Sequence, residues 1–115
     1  MSNKEYKSEI KFTVHLDETR LPVKINWEAT EAGFVGEKTC KGIMVSIFDE
    51  AENNTLKIDL WTKEMLIDEM NRFFSETFMT MADTYSKATG NAEISNSIKQ
   101  FASDFADKTG ILKKN

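Results

Sequence analysis

Asn53-Asn54-Thr55-Leu56-Lys57-Ile58-Asp59-Leu60-Trp61-Thr62-Lys63 alternates apolar and polar side chains until Thr62, where a helical spacing takes over and continues to Ala88. Leu56, Ile58 and Leu60 fall on one face of a strand over residues 55–62, and Lys57, Asp59 and Trp61 on the other. Thr62 suits a helix N-cap, because its hydroxyl can accept from an otherwise unpaired amide of the first turn. Glu64, Asp68 and Glu69 add negative charge at the positive end of a helix over 63–88. Leu66, Met70, Phe73, Thr77, Met81 and Thr84 recur along it, with Ile67, Phe74, Phe78 and Tyr85 in an adjoining row. Two rows are wider than one buried stripe. They suit a helix between a sheet and a further helix, a docking surface, or a homodimer.

Upstream, Ile10, Phe12, Val14 and Leu16 alternate with Lys11, Thr13 and His15, which predicts a strand over 8–16. Pro22 opens a second strand over 22–29, in which Val23, Ile25 and Trp27 share the inward face. Residues 30–39 carry Gly33 and Gly36 and show no period, so they form a long loop with Phe34 and Val35 at its tip. These two either fold back over the sheet edge or contact a partner. The third strand, 39–48, is apolar on both faces, with Cys40, Met44 and Phe48 on one and Ile43, Val45 and Ile47 on the other. Such a strand lies centrally in its sheet or has its second face covered.

Downstream, Gly90 suits the left-handed residue that ends the first helix, and Asn91 can cap the next. Ile94, Ile98, Phe101 and Phe105 form the stripe of a helix over 92–108, with Asp, Lys, Gln and Ser opposite. Lys113-Lys114-Asn115 reads as a frayed tail. Four strands followed by two helices predict a single α+β domain over 1–115. Its four-stranded antiparallel sheet is a meander, with a C-terminal two-helix hairpin packed on one face.

The 115 residues carry a formal net charge of −4, with the basic ones scattered, which argues against nucleic acid or an anionic membrane surface as partner. The polar N-terminus has no apolar run behind it, and no stretch is long enough to enter a membrane as a span. One cysteine, Cys40, fits a reducing compartment, so the expected location is the cytoplasm. The six methionines fill a core more commonly than they line an adaptable groove.

No catalytic, cofactor or metal motif stands out. His15 is the only histidine, on the polar face of its strand, and it meets Cys40 only if the first and third strands adjoin. One His and one Cys do not make a zinc site. The acidic turn from Asp49 departs from the calcium loop at Ala51, Asn54 and Leu60. Asp68 and Glu69 serve the helix dipole before they serve acid–base chemistry.

The eleven residues Asn53–Lys63, with Asp68-Glu69-Met70 and Met81-Ala82-Asp83-Thr84-Tyr85 after them and Ser8-Glu9-Ile10-Lys11-Phe12 and Trp27-Glu28-Ala29-Thr30 before them, resemble the gliding-motility protein GldC family of Bacteroidetes. That resemblance implies a small soluble accessory protein supporting movement of cells over surfaces alongside other Gld proteins. It implies no catalytic residue and no cofactor.

The expected function is therefore non-enzymatic: binding or stabilising another protein, with Phe34, Val35, Met44, Phe48 and Trp61 as the contact residues. The alternative is a small-molecule binding protein or acid–base enzyme whose pocket, between the sheet and the first helix, is lined by Trp27, Trp61, Phe74 and Asp59. A third reading is capture of a peptide on a free strand edge beside an apolar groove.

Overall fold

The computed structural model describes residues 4–111, so the tail Lys113-Lys114-Asn115 lies outside the described residues. The elements run β1 (Ile10–Leu16), β2 (Pro22–Ala29), β3 (Lys38–Cys40), β4 (Gly42–Phe48), β5 (Thr55–Trp61), α1 (Ile67–Thr89) and α2 (Ala92–Thr109). Between Met65 and Leu66 the chain divides into two compact units, one of strands and one of helices.

The strand unit holds two antiparallel sheets, β1-β2-β3 and β4-β5, where one four-stranded sheet was expected. The expected third strand is the reason. Its start, β3, pairs with β2, and its remainder, β4, pairs with β5, with Lys41 between them. Gly42 opens β4 without a side chain to hold the ladder flat, and glycine at such a place commonly marks a bend. Both of its expected pairings survive, divided between two sheets.

Val14, Ile25 and Cys40 lie in one cross-strand row, with Ile25 fully buried at its centre. On the opposite face the Thr39 hydroxyl donates to Asn26 Oδ1 at 3.0 Å, satisfying a buried amide oxygen. Trp27 is half-buried, but Val23 is exposed, because the β1–β2 register shifts between His15 and Leu16. A shift of one residue takes Val23 out of the alternation that buries Ile25.

Thr62 does not cap the helix. It is buried at the end of β5, where its N–H donates to the Lys41 carbonyl at 2.8 Å. The helix begins at Ile67, and the Glu69 carboxylate accepts the Leu66 N–H at 2.8 Å across its first turn.

In the helical unit Gly90 adopts φ 72°, and its N–H closes α1 on the Ser86 carbonyl. Asn91 caps α2 by accepting the Ile94 N–H at 3.1 Å, so both termini match the sequence expectation. The contact between the helices matches in part: Phe101 and Phe105 of the stripe meet Phe78, but the most deeply buried side chains are small ones outside the stripe. Its buried residues are Ala82, Ser95, Ala102 and Ala106, and the Ser95 hydroxyl donates to the Ala82 carbonyl at 2.7 Å. Small side chains let two backbones approach closely, and Ser95, assigned to the polar face by the stripe rule, is 2% exposed. To one side Phe78 stands edge-on to Phe74, Phe101 and Phe105, joining four rings in one cluster.

Candidate interaction surface

The β4–β5 register decides what each face presents. Gly42 stands opposite Trp61, Met44 opposite Asp59, Ser46 opposite Lys57 and Phe48 opposite Thr55. Residues directly opposite in an antiparallel pair share a face, so Met44, Phe48 and Trp61, three of the expected contact residues, lie on one face, with Trp61 and Phe48 at its two ends. Phe48 is 69% exposed and Trp61 55%, while Met44 is half-buried between them. The other face is wholly aliphatic: Ile43 with Leu60, Val45 with Ile58 and Ile47 with Leu56.

The loop tip separates the two readings it allowed. Phe34 folds back, edge-on to Trp27 with ring centroids 5.2 Å apart, and the Lys38 ammonium sits 4.7 Å over its ring. Val35 stands fully exposed. Gly33 and Gly36 flank the pair at φ 83° and 87°, a backbone that other residues rarely adopt. The loop is thus anchored by one apolar side chain and presents the next.

An apolar groove of about 330 Å³ runs between Leu21 and Pro22 on one side and Asp59, Leu60, Trp61 and Lys63 on the other. Trp61 and Asp59, two of the four residues of the expected ligand pocket, line it. Trp27 packs instead on Phe34, and Phe74 belongs to the ring cluster of the helical unit. The Lys63 ammonium is engaged by the Asp17 carboxylate at 2.8 Å, and the lining is predominantly apolar, with Asp59 as its carboxylate. Sequence reasoning missed the contribution of Leu21 and Pro22 to this groove, since Pro22 read as the start or edge of the second strand and no local pattern sets it beside Trp61.

Other chemistry is not assembled. β2 lies between β1 and β3, with His15 opposite Lys24 and Cys40 opposite Ile25, so the histidine and cysteine are kept apart. Burial pushes the Cys40 thiol up, away from the reactive thiolate. Among the described residues no three His, Cys, Asp or Glu side chains converge on a point that could hold a metal, and no described helix is long and apolar enough to cross a membrane.

A model of the gliding motility-associated protein GldC-like family matches residues 22–111, from the start of β2 to just past the end of α2. The chain belongs to the GldC-like family. No curated protein and no solved structure matches it. The family match embraces all of β4, β5, α1 and α2, so Met44, Phe48, Trp61 and the Phe34–Val35 loop all lie within the part of the chain that defines GldC-like membership.

Proposed function

We propose that this GldC-like chain is a non-enzymatic accessory protein of bacterial gliding motility, acting in the cytoplasm by binding or stabilising another protein of the gliding apparatus. The contact surface is the β4–β5 face bearing Met44, Phe48 and Trp61, supplemented by Val35. One observation carries the reading: two large aromatic side chains, Phe48 and Trp61, lie exposed on a single ladder face. Exposed Phe48 and Trp61 at the two ends of the ladder, with a less accessible methionine between them, give this face side-chain types that are enriched at interfaces.

Replacing Phe48 and Trp61 together by serine on the chromosome of a gliding bacterium that carries this protein tests the reading. Colony spreading should be lost while the level of the variant protein, read by immunoblot, stays near normal. Wild-type spreading by the double variant would overturn the assignment of this face.

A further inference from the structure

We propose that two copies of the chain associate by pairing their β5 strands antiparallel about a two-fold axis at Ile58, making a four-stranded sheet β4-β5-β5-β4. The inference concerns an edge and leaves Met44 and Phe48 on the ladder face uncovered, while Trp61 takes part in the pairing.

The hydrogen-bond phase of the ladder leaves that edge unfilled. Asp49 N–H donates to Asn54 and Thr62 N–H to Lys41, so the bonded pairs between them are Ile43/Leu60, Val45/Ile58 and Ile47/Leu56. The backbone groups of Thr55, Lys57, Asp59 and Trp61 therefore point away from β4, and none of them finds a backbone partner among the described residues. A two-stranded sheet is marginal by itself, and three or more strands are the usual minimum. An added strand fills this edge.

The residues of β5 specify which strand. Thr55-Leu56-Lys57-Ile58-Asp59-Leu60-Trp61 is complementary to its own reverse. With the axis at Ile58, Lys57 faces Asp59 of the second copy and Asp59 faces its Lys57. Leu56 faces Leu60 on the aliphatic side, and Thr55 faces Trp61. All four outward residues then find bonding partners. Sliding the pairing by one ladder step sets Lys57 against Lys57 or Asp59 against Asp59, and like charges directly opposite are unfavourable. Charge thus fixes the register. Within one copy Lys57 and Asp59 make only an exposed 3.5 Å contact, a weak interaction readily exchanged for the one across the axis.

The space beside the edge suits the arrangement. The groove lined by Leu21 and Pro22 lies along Asp59, Leu60 and Trp61, where the incoming Thr55 and Leu56 would enter. Beyond it the Lys63 N–H is bonded to the Pro22 carbonyl at 3.3 Å, which ends the free edge where the paired segment ends.

The test is a light-scattering mass over a dilution series of the full chain. The wild type should give twice 13.1 kDa and dissociate on dilution. Asp59→Lys should weaken the dimer roughly thirtyfold, since each of two attractive pairs becomes repulsive. The double variant Lys57→Asp, Asp59→Lys should return to within about threefold of the wild type, because its charges are again complementary. Circular dichroism confirms that both variants are folded. A second readout uses Ile58→Cys in a Cys40→Ser background. Facing non-bonded residues have Cα atoms about 4.5 Å apart, within disulfide reach, so mild oxidation should give a covalent dimer. A wild type that remains 13.1 kDa at every concentration, a dimer indifferent to Asp59→Lys, or an Ile58→Cys chain that does not cross-link would each overturn the proposal.

Discussion

The Lys63 ammonium lies 2.8 Å from the Asp17 carboxylate, tying the second residue after β5 to the turn between β1 and β2. The same carboxylate accepts from the Thr19 N–H, the Thr19 hydroxyl and the Leu21 N–H. One short side chain therefore shapes the turn and joins it to the strand that borders the groove.

A pH dependence follows from that arrangement. The Lys63 contact, followed by the bonds from Leu21 and Thr19, holds the Asp17 carboxyl well below the usual carboxylate range. A depressed folded-state pKa adds stability that is complete above the unfolded value of about 3.9 and is lost as the pH falls through the folded one. The stability difference between wild type and Asp17→Asn should be constant near neutrality and shrink only below about pH 4. Titration by NMR should show Lys63→Met raising the Asp17 pKa without restoring the ordinary value, since three donors remain.

Arg20, in the same turn, has φ 67° without being glycine. Holding a side chain in the left-handed region costs about 1 kcal/mol, and glycine adopts it freely but loses more entropy on folding. Arg20→Gly is expected to raise the unfolding free energy by about 0.5 kcal/mol, measured by urea denaturation, with the Asp17 bonds intact.

Ser95 gives a sharper packing test. Ser95→Ala removes the 2.7 Å bond to the Ala82 carbonyl and should cost about 1 kcal/mol. Ser95→Leu keeps the helix but forces a large side chain between closely spaced backbones, and should cost about 2–3 kcal/mol. The reverse order of the two variants in a denaturant melt would mean that the helices are not in close contact there.

Phe34 and Val35 should separate stability from binding. Phe34→Ser removes the edge-on contact with Trp27 and the cation above the ring, a loss of about 1–2 kcal/mol. Val35→Ser lies on a fully exposed side chain and should change stability by less than about 0.5 kcal/mol. Any effect of Val35→Ser on motility, with the fold unchanged, then reports on contact with a partner.

Much of this was legible because alternation and helix punctuation are local signals. The Thr55–Trp61 strand, the faces of Met44 and Phe48, the glycine that ends α1 and the Asn91 cap all follow from residues within a few positions of one another. Three things were not. The division of the third strand depends on which neighbour each part finds, and the apolar run from Cys40 to Phe48 looks the same whether one sheet claims it or two. The Ala82, Ser95, Ala102 and Ala106 contact was hidden because small residues carry little hydropathy signal, so the larger Ile94, Ile98, Phe101 and Phe105 drew the inward assignment. The groove depends on Leu21 and Pro22 being brought beside Trp61, a long-range pairing that no local pattern encodes.

Lys41 alone separates β3 from β4, and its carbonyl holds the Thr62 N–H at the close of β5. Chain length at this point is therefore as constrained as it would be inside a strand, although the position resembles a connection. One residue added or removed between Cys40 and Gly42 would turn over every side chain of one ladder relative to the other. It would exchange the Met44 and Phe48 surface for the aliphatic one while leaving the amino-acid composition of both sheets untouched. Related chains should tolerate insertions in the Glu31–Glu37 loop and the Asp49–Asn54 turn far better than at this single residue.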